Sequence, residues 1–239
     1  MSFPAACCNT PPVKANYTAK GQKSTVGNIQ CYFTGPADSH RAIMVNYDVF
    51  GYHANVMQLC DILGDLGYRV VLPDLLHGNP LTENDLGTPG VFAEFKDTRG
   101  SWQTTKPMYQ TVIGYLKDNS ASSIGLLGFC WGSHLVVSAL TELDGLRGGA
   151  IVHPALIADG DLGKVNAPLL AIPSKDEPDF QDDFDSLKQK SFFSKCHMVR
   201  FDDMFHGFCG ARGDWSNEVQ AKRANDAIAL IVKFFASVM

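Results

Sequence analysis

The chain has 239 residues, 45% of them hydrophobic, enough to bury one substantial core and to fit a single domain. Its net charge of −5, with no lysine-rich tail and no basic stripe interleaved with aromatics, excludes nucleic acid as an expected partner. The apolar stretch at 227–238 is too short to span a bilayer and carries Lys233, so no membrane partner is expected either.

In chain order, residues 1–20 are rich in Pro, Thr, Asn and Ala with little periodicity and read as a loosely ordered leader. The first eight residues lack the basic and apolar regions of a secretory signal, which points to a cytoplasmic protein. The sequon Asn16-Tyr17-Thr18 is then a chance match, and no role is assigned to Cys7-Cys8. Residues 21–239 are expected to form one α/β domain. Runs rich in β-branched and apolar residues predict strands at 29–33, 42–46, 69–72, 124–129, 149–153, 169–173 and 197–201. Helical patterns lie between most of them, at 56–66, 105–117, 133–143, 184–193 and 217–236. Such alternation calls for a mostly parallel sheet with helices on both faces, and in such sheets sites form beyond the C-terminal ends of the strands. Residues 78–103, rich in Gly and Pro, are the least regular internal stretch and a candidate loop or cap over the site.

One segment carries chemistry on its own. Gly128-Phe129-Cys130-Trp131-Gly132 follows the apolar run 124–127 and precedes a helical pattern, which makes it a G-x-C-x-G nucleophile elbow. A thiol at such a turn sits exposed above the sheet with a helix N-terminus aimed at it, favouring thiolate and offering backbone N–H groups to an oxyanion. The bland alternative is a buried structural thiol in a tight turn. A nucleophile needs a base, and the base an orienting acid. After the strand at 169–173 comes Asp176, with Glu177 and Asp179 as competitors, and after the strand at 197–201 comes His206. Nucleophile, acid, histidine is the order of the α/β-hydrolase fold. His134, within a helix, and His153, ending a strand before Pro154, read as structural residues, with His153 within reach of the pocket rim. No metal-ligand spacing and no phosphate- or dinucleotide-binding glycine loop is present, so no cofactor and no metal is expected.

From about residue 25 onward the sequence resembles the dienelactone hydrolases, carboxymethylenebutenolidase-like proteins of the α/β-hydrolase fold. The likeness is carried by Asn46-Tyr47-Asp48-Val49-Phe50-Gly51, Leu72-Pro73-Asp74-Leu75-Leu76-His77-Gly78, the cysteine elbow, Lys175-Asp176 and His206-Gly207-Phe208, in that order. The leader and the Pro-Asp-Leu-Leu-His-Gly wording look closer to the fungal and plant branch. The resemblance implies that Cys130 attacks a carbonyl, that His206 is the general base and Asp176 its orienting acid, and that the backbone N–H groups of Trp131 and Val49 form an oxyanion hole. It also implies that Asp48 contacts the resting thiol. The bacterial enzymes hold a substrate carboxylate with two arginines. The first region here has Leu76-His77-Gly78 instead, and Arg212 follows His206 at a different offset. His77, Arg212, Phe50 and Phe208 are therefore the candidate substrate-binding residues. The expected function is cysteine-dependent hydrolysis of a lactone or small carboxylic ester by a monomer or homodimer. From another class, the alternative is a non-catalytic or redox-sensing protein that uses Cys130 as a reactive thiol.

Overall fold

The computed structural model describes residues 16–239. Its eight strands are β1 (Gln22–Val26), β2 (Ile29–Thr34), β3 (Arg41–Asn46), β4 (Arg69–Pro73), β5 (Ser123–Phe129), β6 (Leu146–Val152), β7 (Leu169–Ile172) and β8 (His197–Met198). They form one sheet in the order β1-β2-β4-β3-β5-β6-β7-β8, antiparallel from β1 through β4 and parallel from β4 to β8. This is the α/β-hydrolase architecture. Every residue of β4 and β5 is buried, the continuous apolar reading of strands covered on both faces.

The main helices are α1 (Ala54–Asp65), α4 (Trp102–Asp118), α5 (Trp131–Glu142) and α7 (Glu218–Val238). Adjacent glycines on β6 reveal the layering. A Cβ on Gly149 would run into Val136 and Leu140 of α5, whereas one on Gly148 would meet Phe234 and Val238 of α7. Successive side chains point to opposite faces of a sheet, so α5 and α7 cover opposite faces. The helix starts follow local chemistry: Ser101 caps α4 by accepting from Thr104 N–H, and Asn217 caps α7 by accepting from the N–H groups of Val219 and Gln220.

Several sequence expectations change in detail. Strand β1 has four exposed polar residues in five, QKSTV, and therefore no apolar alternation by which to recognise it. The helix expected over 184–193 breaks into α6 (Gln181–Asp185) and 3-10 turns at Ser186–Gln189 and Phe193–Lys195. The irregular stretch 78–103 contains α2 (Glu83–Gly87), entered through a Thr82/Asp85 capping box, and α3 (Val91–Asp97). Within the expected leader, residues 17–20 are tied down: Tyr17 Oη and Lys20 N–H both donate to the buried Asp61 carboxylate, which also accepts from Tyr32. Cys7 and Cys8 lie outside the described residues. Among the described residues no helix is long and apolar enough to cross a membrane.

Candidate active site

The chain leaves β3 along the sheet to β4 on one side and returns to β5 on the other. The crevice of such a reversal opens at the C-terminal strand ends. Asp48 lies just past β3, Cys130 past β5, His153 past β6, Asp176 and Glu177 past β7, and His206 past β8.

Cys130 stands at the turn between β5 and α5 with φ 51° and ψ −115°, a conformation costing on the order of 1–3 kcal/mol that only a well-determined surrounding maintains. The surroundings supply it. Cys130 N–H donates to Val152 O at 3.1 Å, and Cys130 O accepts from Ser133 N–H and Ala155 N–H, each at 3.1 Å. Both flanking glycines are sterically required: a Cβ on Gly128 would lie 2.3 Å from Gly132 O, and one on Gly132 2.4 Å from Asn46 O. The second close approach seats the start of α5 against the end of β3. It sets Gly132, in the first turn of α5, against the main chain of Asn46 and Tyr47, just before Val49. The Trp131 indole faces elsewhere, donating to Gly100 O at 2.7 Å and meeting the Phe95 ring edge-on, so the 78–103 segment is pinned beside the elbow.

The next two strand ends run side by side through a parallel bridge between Ser174 and Phe201 and a bond from Lys175 N–H to Met204 O. His206 is buried there and hydrogen-bonded to the Cys130 thiol. The carboxylate on its ring is Glu177, whose Oε1 lies 2.6 Å from Nδ1, and not Asp176 as expected. Asp176, half-exposed, accepts instead from the His206 backbone N–H at 2.8 Å. The loop turns Asp176 along the main chain and Glu177 inward, and the extra methylene of glutamate spans the distance to the ring. Glu177 Oε2 accepts from Ser174 N–H, and Arg200 braces the loop through the carbonyls of Ser174, Glu177 and Pro178. The only sequence signal for Glu177 was its presence beside Asp176. Burial works against a charged His206, but the negative charge and hydrogen bond of Cys130, followed by Glu177, outweigh it and raise the imidazole above its ordinary value.

Asp48 is buried beside this pair. Its Oδ1 accepts from Phe50 N–H at 2.9 Å and its Oδ2 from Ala211 N–H at 3.0 Å. Burial, then the negative charge of Cys130, pushes its carboxyl up to about 6, with the two N–H groups and Arg212 pulling the other way. Arg212 is itself buried, its guanidinium 5.4 Å from the Phe50 ring centre. The Arg212 stem runs over Gly207, where a Cβ would come within 2.8 Å of Cδ.

Two expected substrate-binding residues sit differently. Phe208 is fully buried, stacked on Phe201 at 5.3 Å, and is a packing residue because no face of its ring is left for a ligand. His77 is exposed at φ 50° in the turn after β4, where its main chain bonds to Asp74 O and Asn79. Among the described residues no three His, Cys, Asp or Glu side chains are grouped to hold a metal ion.

Chemically, the arrangement joins a thiol to a buried imidazole and a carboxylate behind that imidazole, parts that acyl transfer uses. A model of the dienelactone hydrolase family matches residues 29–239. An uncharacterised AIM2 family protein of Schizosaccharomyces pombe is 32% identical over 98% of this chain and 100% of its own length. A human carboxymethylenebutenolidase homologue is 27% identical over 66% of this chain and 65% of its own. Two solved structures share the fold: a dienelactone hydrolase-like promiscuous phosphotriesterase from metagenomic libraries and an esterase of Pyrococcus furiosus. The first has a TM-score of 0.66 at 17% identity, covering 92% of this chain and 98% of that one. For the second the TM-score is 0.60 at 14% identity, covering 96% and 99%.

Proposed function

Because the chain belongs to the dienelactone hydrolase family, we propose that it hydrolyses a small carboxylic ester or lactone through a thioester on Cys130. The observation that carries this reading is the buried chain of contacts from the Cys130 thiol to His206 and from His206 Nδ1 to Glu177 Oε1 at 2.6 Å. Cys130 and His206 form the reacting pair, and Glu177 fixes the tautomer and steadies the imidazolium. The thiolate adds to the substrate carbonyl, and the oxyanion is held by the N–H groups of Trp131 and Val49. Collapse of that adduct breaks the ester C–O bond, and His206 gives its proton to the leaving alkoxide. Water then gives a proton to His206 and adds to the thioester, the C–S bond breaks, and acid leaves with the thiolate restored. Relatives named as carboxymethylenebutenolidase homologues and an esterase neighbour fit that chemistry.

Arg212 is the group suited to an anionic or polar part of the substrate, because a guanidinium over an aromatic ring beside the elbow can orient one carboxylate. The exposed position of His77 weakens the case for a second clamp.

The test uses p-nitrophenyl acetate and a simple enol-lactone, with iodoacetamide and intact mass to follow Cys130. Turnover should vanish in step with labelling at Cys130 and in Cys130→Ala. Glu177→Gln should lower kcat by about 10²–10⁴-fold, as loss of a triad acid does, and Asp176→Asn by far less. The reverse order of the two acid variants would return the orienting role to Asp176. Labelling of Cys130 in a protein that never turns over would favour a redox-sensing thiol.

A further inference from the structure

The first residue of β4 is a buried cation without an anion. Arg69 is only 6% exposed, yet among the described residues it forms no ion pair with any Asp or Glu. Residues 1–15 contain neither acid and cannot supply one. The guanidinium donates instead to two neutral oxygens, Asn119 O at 2.8 Å and Tyr115 Oη at 3.3 Å, and stands 5.3 Å from the centre of the Tyr115 ring. That uses two of its five N–H groups. Asn119 is the C-cap of α4, and a helix end offsets about half a charge. A buried guanidinium ordinarily meets a full carboxylate, because an unpaired buried charge is costly.

Arg69 lines a cleft of about 400 Å³, within the range of about 300–1,000 Å³ in which small molecules bind. The cleft lies between the β1–β2 hairpin and α4, at the end of the sheet where β4 begins, opposite the strand ends that carry Cys130 and His206. Its walls follow from the strand register. Gln22 and Ser24 are two apart on β1 and so share a face, and Phe33 is the cross-strand partner of Gln22 on that same face. The Phe33 ring meets the Tyr115 ring at 5.7 Å, which gives the cleft two aromatic walls beside the polar one. Lys20 also lines the cleft, but its Nζ is held by Asp65 at 2.6 Å, and Asp61 is taken up by Tyr17, Tyr32 and the Lys20 N–H. Of the two cations in the cleft, Arg69 is therefore the one that no described acid matches.

We propose that this cleft is a second binding site, for a small organic monocarboxylate with a flat apolar body. The carboxylate pairs with Arg69, whose planar fork suits two parallel N–H···O bonds. The body lies along the rings of Phe33 and Tyr115, and Gln22 and Ser24 offer hydrogen bonds to a further polar group. One unmatched cation selects a monoanion, since a dianion would bring a second charge that nothing in the cleft balances. Bound there, the ligand joins the β1–β2 hairpin to α4 and gives the buried guanidinium the partner that the chain does not. The site is independent of the hydrolase reading, because none of its residues belongs to the crevice of Cys130.

The test is an NMR titration of the full chain with benzoate, read at the backbone amides. Benzoate should give saturable shifts at Gln22, Ser24, Phe33 and Tyr115. Benzamide, the same shape without the charge, and acetate, the charge without the ring, should each bind at least about tenfold more weakly. Arg69→Gln should weaken benzoate by a similar factor. Ser24→Glu should do the same, because it brings a competing carboxylate to the cleft from an exposed strand position where the fold tolerates it. Arg212→Gln, in the catalytic crevice, should leave the shifts as they are. No saturable shift at these amides across the millimolar range of benzoate overturns the proposal. So does benzamide or acetate binding as tightly as benzoate, which would remove the charge or the rings from recognition. Shifts confined to the amides around Phe50 and Trp131 would put benzoate on Arg212 and overturn it too. Unchanged benzoate affinity in Ser24→Glu overturns it even where Arg69→Gln fails to fold. Benzoate bound here by a protein that hydrolyses no ester supports this site and refutes only the hydrolase reading.

Discussion

Asp48 and Cys130 are two buried groups that both prefer to be the only anion nearby. Asp48 has its carboxyl pushed up to about 6 by burial and by the charge of Cys130. Above pH 6 it is ionised and opposes the thiolate; below that it is neutral and does not. Asp48→Asn should therefore speed iodoacetamide alkylation of Cys130 by about tenfold at pH 7.5, equivalent to about one pK unit, with the two proteins converging near pH 5. Equal rates at pH 7.5 would remove Asp48 as the restraint on the thiol. The raised value also has a stability sign. Its contribution is fully present below the ordinary carboxyl value of 3.8 and is lost as the pH rises through about 6, so the native state carries a charge-burial cost at neutral pH. At this scale Cys130 and His206 were legible from the sequence because glycines bracket the first and chain order selects the second. Glu177 was not. Three acids share one short loop, and which of them meets the imidazole depends on side-chain reach and loop twist, neither of which leaves a pattern in the residue types.

Among the elements, the parallel strands were legible because their apolar runs are continuous, β8 came out shorter than the run 197–201 that announced it, and β1 was not legible. Strand β1 is polar and exposed and owes its place to β2, while β8 has two residues and continues only as the Ser174–Phe201 bridge. The start of the domain shows what replaces apolar pattern there. Asp61 of α1 accepts from Tyr17 Oη at 2.6 Å, Lys20 N–H at 2.9 Å and Tyr32 Oη at 2.6 Å, tying residues 17–20 and β2 to α1. Burial opposes the charge, but these bonds together with one from Thr34 hold the Asp61 carboxyl below its ordinary value. A depressed carboxyl contributes stability that is present above the unfolded value, about 3.9, and lost as the pH falls through the folded one. Asp61→Asn turns an NH₂ toward these donors, and it should cost on the order of 2–3 kcal/mol at pH 7 in urea unfolding and less at pH 3. A cost below about 0.5 kcal/mol at pH 7 would mean that the segment is held by packing alone.

Over the whole molecule, one edge of the sheet carries the candidate site and the remainder supports it. Asp48, Cys130, His153, Glu177 and His206 come from the ends of five neighbouring parallel strands, so the site exists only when the sheet is complete from β3 to β8. The other described cysteines sample that sheet from side to side: Cys31 in β2, Cys60 in α1, Cys196 before β8 and Cys209 near the site. All four are buried, and burial raises each thiol, with Cys31 and Cys209 pushed up to about 12. Cys130 differs in having a base on its sulfur. In a Cys7→Ser/Cys8→Ser background, iodoacetamide should thus modify Cys130 alone in the native state. The other four should follow together, at rates that rise with urea in parallel, because exposing any of them requires opening the shared core. Peptide mapping at increasing urea checks this. If Cys196 reacts well before Cys31 and Cys60, the β8 edge opens by itself, and the loop that carries His206 rests on a separately unfolding unit.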